Sequence, residues 1–393
     1  MTKNSLKYLL EKNKNYYLSQ LQEHFPPREL ICNRNIPCVV FGAARMGKIF
    51  VENLQAKNIK VSAIVDNNPK LHDRKIGEAK IISFVTAKKL YLATPILVAS
   101  LMYESEIYSL LKKAGFKYIY PLGYLNILYP DIFISSEYEN TFNSLFSKRN
   151  LIDILQTEQI LTESNSKKIF ENLIKFRLSL DKKYIKLAQS SKKTYFDESI
   201  LKLNSQEILA DCGAFDGDTV LSFCKTVKNK FMKIYSFEPD TANYIKLQKI
   251  SRKIDHKRII PIKRGVFYKE GTIDFSENSS VDSRIIKKNL SNNHAAGNAG
   301  KTKSIRLSSL DFFFRDKPKP TIIKMDIEGV EREALLGAKK IIRQTKPKLI
   351  ISIYHHAADL WKLILLIKKL NPSYKLFVRH YSNELVDTIC IAV

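Results

Sequence analysis

Residues 208–219, ILADCGAFDGDT, decide how the rest of the chain reads. Ile208-Leu209-Ala210 is a short apolar run of the kind a buried strand uses. It gives way to an acidic, glycine-rich turn, with Asp211, Gly213, Gly217, Asp218 and Thr219. TVLSFCKTV follows with helical spacing. A strand, a glycine turn and a helix N-terminus in succession suit a nucleotide-like cofactor. Glycine lets the backbone approach a ligand closely and adopt positive φ. Three acidic side chains in one turn would repel phosphates, but they suit the cationic amino-acid end of S-adenosylmethionine. The alternative is an ordinary β-to-α turn with a solvated acidic rim.

Downstream, FMKIYSFEPD reads as a strand ending on Glu238-Pro239. The spacing from Asp211 leaves room for one helix and one strand. An acid at the end of the second strand lies beside the first loop, where it can accept both hydroxyls of a ribose. A second acidic strand end occurs in TIIKMDIEGVEREALLGAKKII, which delivers Asp326 and Glu328 to the same edge. Strand alternation would point both the same way. Gly329 makes the turn, and Glu331 and Glu333 suit the first turn of a helix. KPKLIISIYHHA is a further strand, ending in Tyr354-His355-His356. A helix, ADLWKLILLIKKL, and two closing strands, YKLFVRHY and DTICIAV, complete the segment. Between RIIPIKRGVFYKEGTIDF and this region, residues 276–303 are polar and read as a long loop, either a lid or a segment without function.

Upstream, IPCVVF and VSAIVDNNP read as strands separated by GAARMGKIFVENLQAKN, a turn and an amphipathic helix. ATPILVASL, SEIYSLLKKAGF and KYIYPL continue the strand and helix alternation of a parallel sheet. Gly42 and Gly47 sit where a dinucleotide fingerprint places its first and third glycines, but Ala44 holds the middle position. Asp66 ends the second strand, where it could take a ribose diol. The reading divides evenly between a nucleotide or nucleotide-sugar site and a degenerate module used for packing.

These segments divide the chain into a helical lead-in (1–34), a Rossmann-like nucleotide-binding-type domain (35–125), a helical connector (126–205) and a catalytic-type domain (206–393). The length of 393 residues fits this number of domains. The fold class expected is α/β, with two Rossmann-like sheets.

A net charge of +26 raises nucleic acid or an anionic membrane as partners. The basic residues are mostly lysine, spread along the chain without a compact block of Arg and aromatics. Nucleic acid is therefore not expected, and at most a weak peripheral association with membranes is. The five cysteines are scattered with no C-x-x-C pair, which points to a reducing cytoplasm rather than a disulfide framework. No apolar run is long enough to span a bilayer, and the first residues do not read as a secretory signal.

Taken in order, DCGAFDGDT, the FEP at 237–239, RGVFYKEGTIDF, IKMDIEGVEREALLGA, KPKLIISIYHHAADLW and RHYSNE resemble the FkbM-type family of S-adenosylmethionine-dependent methyltransferases. The resemblance covers residues 206–393. It implies a class I methyltransferase fold, a mostly parallel seven-stranded sheet with a reversed last hairpin, and O-methylation of a sugar, glycan precursor or other small molecule. Many members carry Glu near Ser352, and this chain does not. On this reading Asp211, Gly213, Ala214, Gly217 and Thr219 surround the amino-acid end of S-adenosylmethionine. Glu238 with Pro239 takes the ribose, and Gly265 and Val266 border the adenine. The general base is Asp326, His355 or His356. Asp326, Glu328 and a histidine could instead gather a divalent cation, but no metal is expected. Three alternatives remain. One is a nucleotide-sugar-binding module whose methyltransferase-like domain is inactive. Another is a nucleic-acid methyltransferase, against which DIEG stands where an Asp/Asn-Pro-Pro-aromatic tetrad is usual. The third is an oxidoreductase using the N-terminal glycines.

Overall fold

The computed structural model describes residues 6–31, 35–100, 103–133, 141–191, 195–276 and 302–393. The chain forms two compact units. One comprises residues 1–155, 171–188 and 382–385; the other comprises 156–170, 189–381 and 386–393. Each holds a Rossmann-like sheet, as the strand and helix alternation requires.

The first unit contains strands β1 (Cys38–Phe41), β2 (Val61–Val65), β3 (Lys75–Ile76), β4 (Ala79–Ile82), β5 (Ile96–Val98) and β6 (Ile119–Tyr120) in the order β3-β4-β2-β1-β5-β6. All pairs are parallel except β3 with β4. The hairpin of β3 and β4 is not evident from the sequence. It is four residues or shorter in each arm and alternates Lys80 with its apolar neighbours, so it carries little signal. The β1 strand is wholly buried, as a central strand covered on both faces must be.

The second unit is built on β7 (Ile208–Cys212), β8 (Lys233–Phe237), β9 (Ile259–Ile262), β13 (Ile322–Met325), β14 (Lys348–Ser352), β15 (Leu376–His380) and β16 (Thr388–Ala392). Their order is β15-β16-β14-β13-β7-β8-β9. β16 alone runs antiparallel to its neighbours. A separate three-stranded sheet holds β10 (Gly265–Val266), β11 (Gly271–Ser276) and β12 (Thr302–Ser308). The polar segment expected as a loop therefore links β11 to β12, and its residues 277–301 lie outside the described residues.

Every residue of β7 and β13 is buried. The two strands are paired in parallel, Lys324 opposite Asp211. The chain continues from β7 and β13 into two loops at the same edge of the sheet, and these loops make the site. On the far side, the edge strand β15 is capped by residues ahead of it in sequence. Thr162 Oγ1 accepts from Leu376 N at 2.8 Å, and Ser166 Oγ accepts from Val378 N at 2.9 Å. Such covering removes the exposed backbone that makes an edge strand prone to mispairing.

Candidate active site

The glycine loop is pinned from three sides. Gly213 N and Ala214 N both donate to Phe237 O at 3.0 Å, tying the loop to the end of β8. Lys324 Nζ donates to Gly213 O at 2.8 Å. Gly213 itself has φ +78, and a Cβ there would fall 1.9 Å from Asp326 O. Only glycine permits this crossing of the two loops. Gly217 caps the helix Asp218–Thr226, with Thr219 buried in its first turn.

Asp211 lies beneath the loop rather than on its open side. Its carboxylate is fully buried and pairs with Lys324 Nζ at 3.2 Å. Burial disfavours the Lys324 charge, but Asp211 and Asp326 outweigh it and hold the ammonium protonated.

Glu238 closes the next side. Its two oxygens accept from Phe215 N and Asp240 N, both at 2.9 Å. The side chain is buried, and that burial pushes its carboxyl up to about 7 against the pull of the two N–H donors. Pro239 fixes the turn between Glu238 and the helix Thr241–Ile254, which Asp240 caps. Gly265 and Val266 form β10 and pair with β12 in the small sheet; Val266 is buried.

At the end of β13 the structure departs from simple strand alternation. The strand stops at Met325, and the backbone turns through Glu328 at φ +56 and Gly329 at φ +91. Asp326 and Glu328 converge nonetheless, because His355 stands between them. His355 Nε2 is 3.5 Å from Asp326 Oδ1 and 3.6 Å from Glu328 Oε2, while Nδ1 is 3.0 Å from Glu331 Oε1. Glu331 also accepts from Ile327 N at 2.8 Å, so one buried carboxylate braces both turn and ring. Burial opposes charge on His355, but Glu331, Asp326 and Glu328 outweigh it and push the imidazole up to about 10.

Asp326 is held by two phenols. Tyr195 donates to Oδ2 at 2.8 Å and Tyr354 to Oδ1 at 3.2 Å. Burial works against its charge, yet Lys324, His355 and the Tyr195 hydroxyl keep the carboxyl below its usual range. Its side chain is 20% exposed, so it can still meet a ligand. His356 is otherwise engaged: its Nε2 bonds Gly329 O at 2.8 Å and its N–H donates to Asp359. Asp326, Glu331 and His355 each present one metal-ligating atom, all within 4.8 Å of one another.

The geometry thus joins Gly213, Asp326 and His355 at one edge and sets Glu238 against the same loop. His356 serves the turn, and Asp211 serves the loop from below. Lys324 and Tyr195 escaped the sequence reading, which named Tyr354 only as a strand end and Glu331 only as an acid in a first helical turn. A lysine inside the apolar run TIIKM was the one available signal.

The model of the methyltransferase FkbM domain matches residues 211–381. Across nearly the whole chain the fold is that of the crystal structure of a methyltransferase FkbM from Methylobacillus flagellatus KT. The TM-score is 0.75 at 21% identity, covering 96% of this chain and 98% of that one. An rRNA methylase from Streptococcus thermophilus aligns at 12% identity and TM-score 0.29, over 48% of this chain and 87% of its own. A precorrin-6y C5,15-methyltransferase from Geobacter metallireducens aligns at 10% and 0.28, over 49% and 82%. Likeness at those two scores is too slight to bear on the fold. No curated protein sequence matches.

Proposed function

Starting from residues 211–381 as a methyltransferase FkbM domain, we infer that the chain transfers the methyl group of S-adenosylmethionine to a hydroxyl of a sugar, glycan precursor or other small molecule. The observation that carries this reading is the meeting of the glycine loop with a part-exposed Asp326. Methyl transfer from a sulfonium is an in-line displacement with a neutral leaving group. The protein has to align the acceptor oxygen and take its proton.

In this reading the loop Gly213–Gly217 receives the methionine end of the cofactor, with Ala214 and Thr219 packed beneath. Glu238 accepts the ribose hydroxyls, and β10 borders the adenine. Asp326 is the proton acceptor, because it is ionised and open to the acceptor. His355 already carries its proton, so it positions Asp326 and offsets its charge. His356, bonded to Gly329 O, is assigned to the turn and not to the chemistry in this reading.

For the N-terminal sheet, a nucleotide or nucleotide sugar at the end of β1 is the corresponding proposal. Asp66 Oδ2 there accepts from Ala43 N at 2.8 Å and shapes the turn after Gly42. Among the described residues Cys38, Cys212, Cys224 and Cys390 are buried thiols outside any disulfide, in keeping with the proposed cytoplasmic setting. Among the described residues no helix is long and apolar enough to cross a membrane.

The experiment is incubation of the protein with methyl-labelled S-adenosylmethionine and a panel of sugars, nucleotide sugars and small phenols, reading label in the product. Label transferred by wild type and lost in Asp326→Asn supports the reading. Cofactor bound with no transfer to any hydroxyl acceptor counts against its O-methylation part.

A further inference from the structure

Charge does not balance around His355. Asp326, Glu328 and Glu331 face one imidazole. The buried lysine nearby, Lys324, is committed to Asp211 and to Gly213 O. The deepest of the three acids is the least satisfied. Glu331 is 1% exposed; its Oε1 meets Ile327 N and His355 Nδ1, whereas its Oε2 has no hydrogen-bond partner. A buried acceptor left unpaired is costly, and a charged one more so.

The spacing is that of ligands sharing an ion. Donors bonded to one divalent metal at about 2.0–2.6 Å lie about 3–5 Å from each other. One atom from each of Asp326, Glu331 and His355 falls within 4.8 Å of the others. We propose that Asp326, Glu331 and His355 bind one divalent cation. Two carboxylates and an imidazole are a mixed donor set that suits Mn²⁺ better than Ca²⁺ or Mg²⁺, which favour oxygen alone. The site deepens the reading of this edge as the transfer site, with Asp326 then acting as a ligand instead of as the free proton acceptor: an ion there would draw in a pair of neighbouring hydroxyls and make one of them more acidic. Binding of the ion does not itself depend on the methyl donor.

The test uses the full chain, stripped with chelator and exchanged into metal-free buffer without S-adenosylmethionine. MnCl₂ is titrated by calorimetry and by the electron paramagnetic resonance signal of free Mn²⁺. One equivalent should bind. Asp326→Asn and Glu331→Gln should each weaken it about tenfold or more, with circular dichroism melts establishing that the variants are folded. Gln at 331 can still accept from Ile327 N; should that variant fail to fold, Asp326→Asn decides alone. The proposal is overturned if wild type shows no saturable binding of Mn²⁺, Mg²⁺ or Zn²⁺ below about 1 mM, or if binding is undiminished in folded Asp326→Asn. The same sample is then titrated with S-adenosylmethionine. Ion binding without cofactor binding keeps the metal site and removes the methyltransferase reading; the reverse removes the metal site alone.

Discussion

Lys324 Nζ stands 3.2 Å from Asp211 Oδ1, with neither side chain more than 3% exposed. The pair bridges β7 and β13, the two strands whose ends carry the glycine loop and the DIEG turn. Lys324 also holds Gly213 O, so one ammonium ties strand, loop and site together.

Removing one partner leaves a buried, uncompensated charge. Asp211→Ala should therefore destabilise the protein by about 3–5 kcal/mol, read as a fall in the urea midpoint. The double variant Asp211→Leu/Lys324→Met should recover much of that loss, since matched apolar replacement of a buried pair is often neutral. Equal instability of the single and double variants would contradict the assignment.

Glu238 gives cofactor binding a pH dependence. Its carboxyl sits at about 7, raised by burial. Ribose hydroxyls donate to the ionised form, so binding is linked to loss of that proton. Affinity for S-adenosylmethionine should rise as pH increases from 6 to 8, and it should be weaker and nearly pH-independent in Glu238→Gln. Calorimetry at several pH values measures both. A wild-type affinity that falls over this range would contradict the role.

Asp326→Asn should lower kcat about 10²–10⁴-fold while S-adenosylmethionine affinity stays within about threefold. His356→Gln should act differently. Its ring braces Gly329 rather than the acceptor, so loss of thermal stability should exceed loss of kcat. A kcat loss in His356→Gln as large as that in Asp326→Asn would place the histidine in the chemistry.

In the first unit, Glu104 is buried against the N–H of Gly123, near Lys182 and Glu384. Burial pushes its carboxyl up to about 7. The folded state then holds a proton that the unfolded state gives up near pH 4.5, so this group costs stability progressively as pH rises from about 4.5 to 7. The slope approaches about 1.4 kcal/mol per pH unit in mid-window. Glu104→Gln should flatten it in melts recorded across that range; an unchanged slope would assign the effect elsewhere.

Much of the fold was legible because its strands are short apolar runs stopped by glycine or acid. ILADC, KIYSF and IIKM each announce a buried strand, and the acids after them mark the sheet edge. What sequence could not supply was depth and direction. Asp211 and Glu238 look alike as acids at strand ends, but Lys324 draws the first inward while two backbone N–H groups hold the second at the loop. Alternation along TIIKMDIE predicted a common direction for Asp326 and Glu328. They do converge, through a left-handed turn and a histidine from β14's end rather than through a continuous strand. Tyr195 lies 131 positions from Asp326 in sequence, and no local pattern links the two.

The most direct measurement is calorimetric titration of the purified chain with S-adenosylmethionine, alongside Glu238→Ala. The account predicts micromolar binding to wild type, with affinity cut about tenfold or more in the variant while the fold persists. A well-folded wild-type protein that binds no S-adenosylmethionine, or a variant that binds it as tightly, would contradict it.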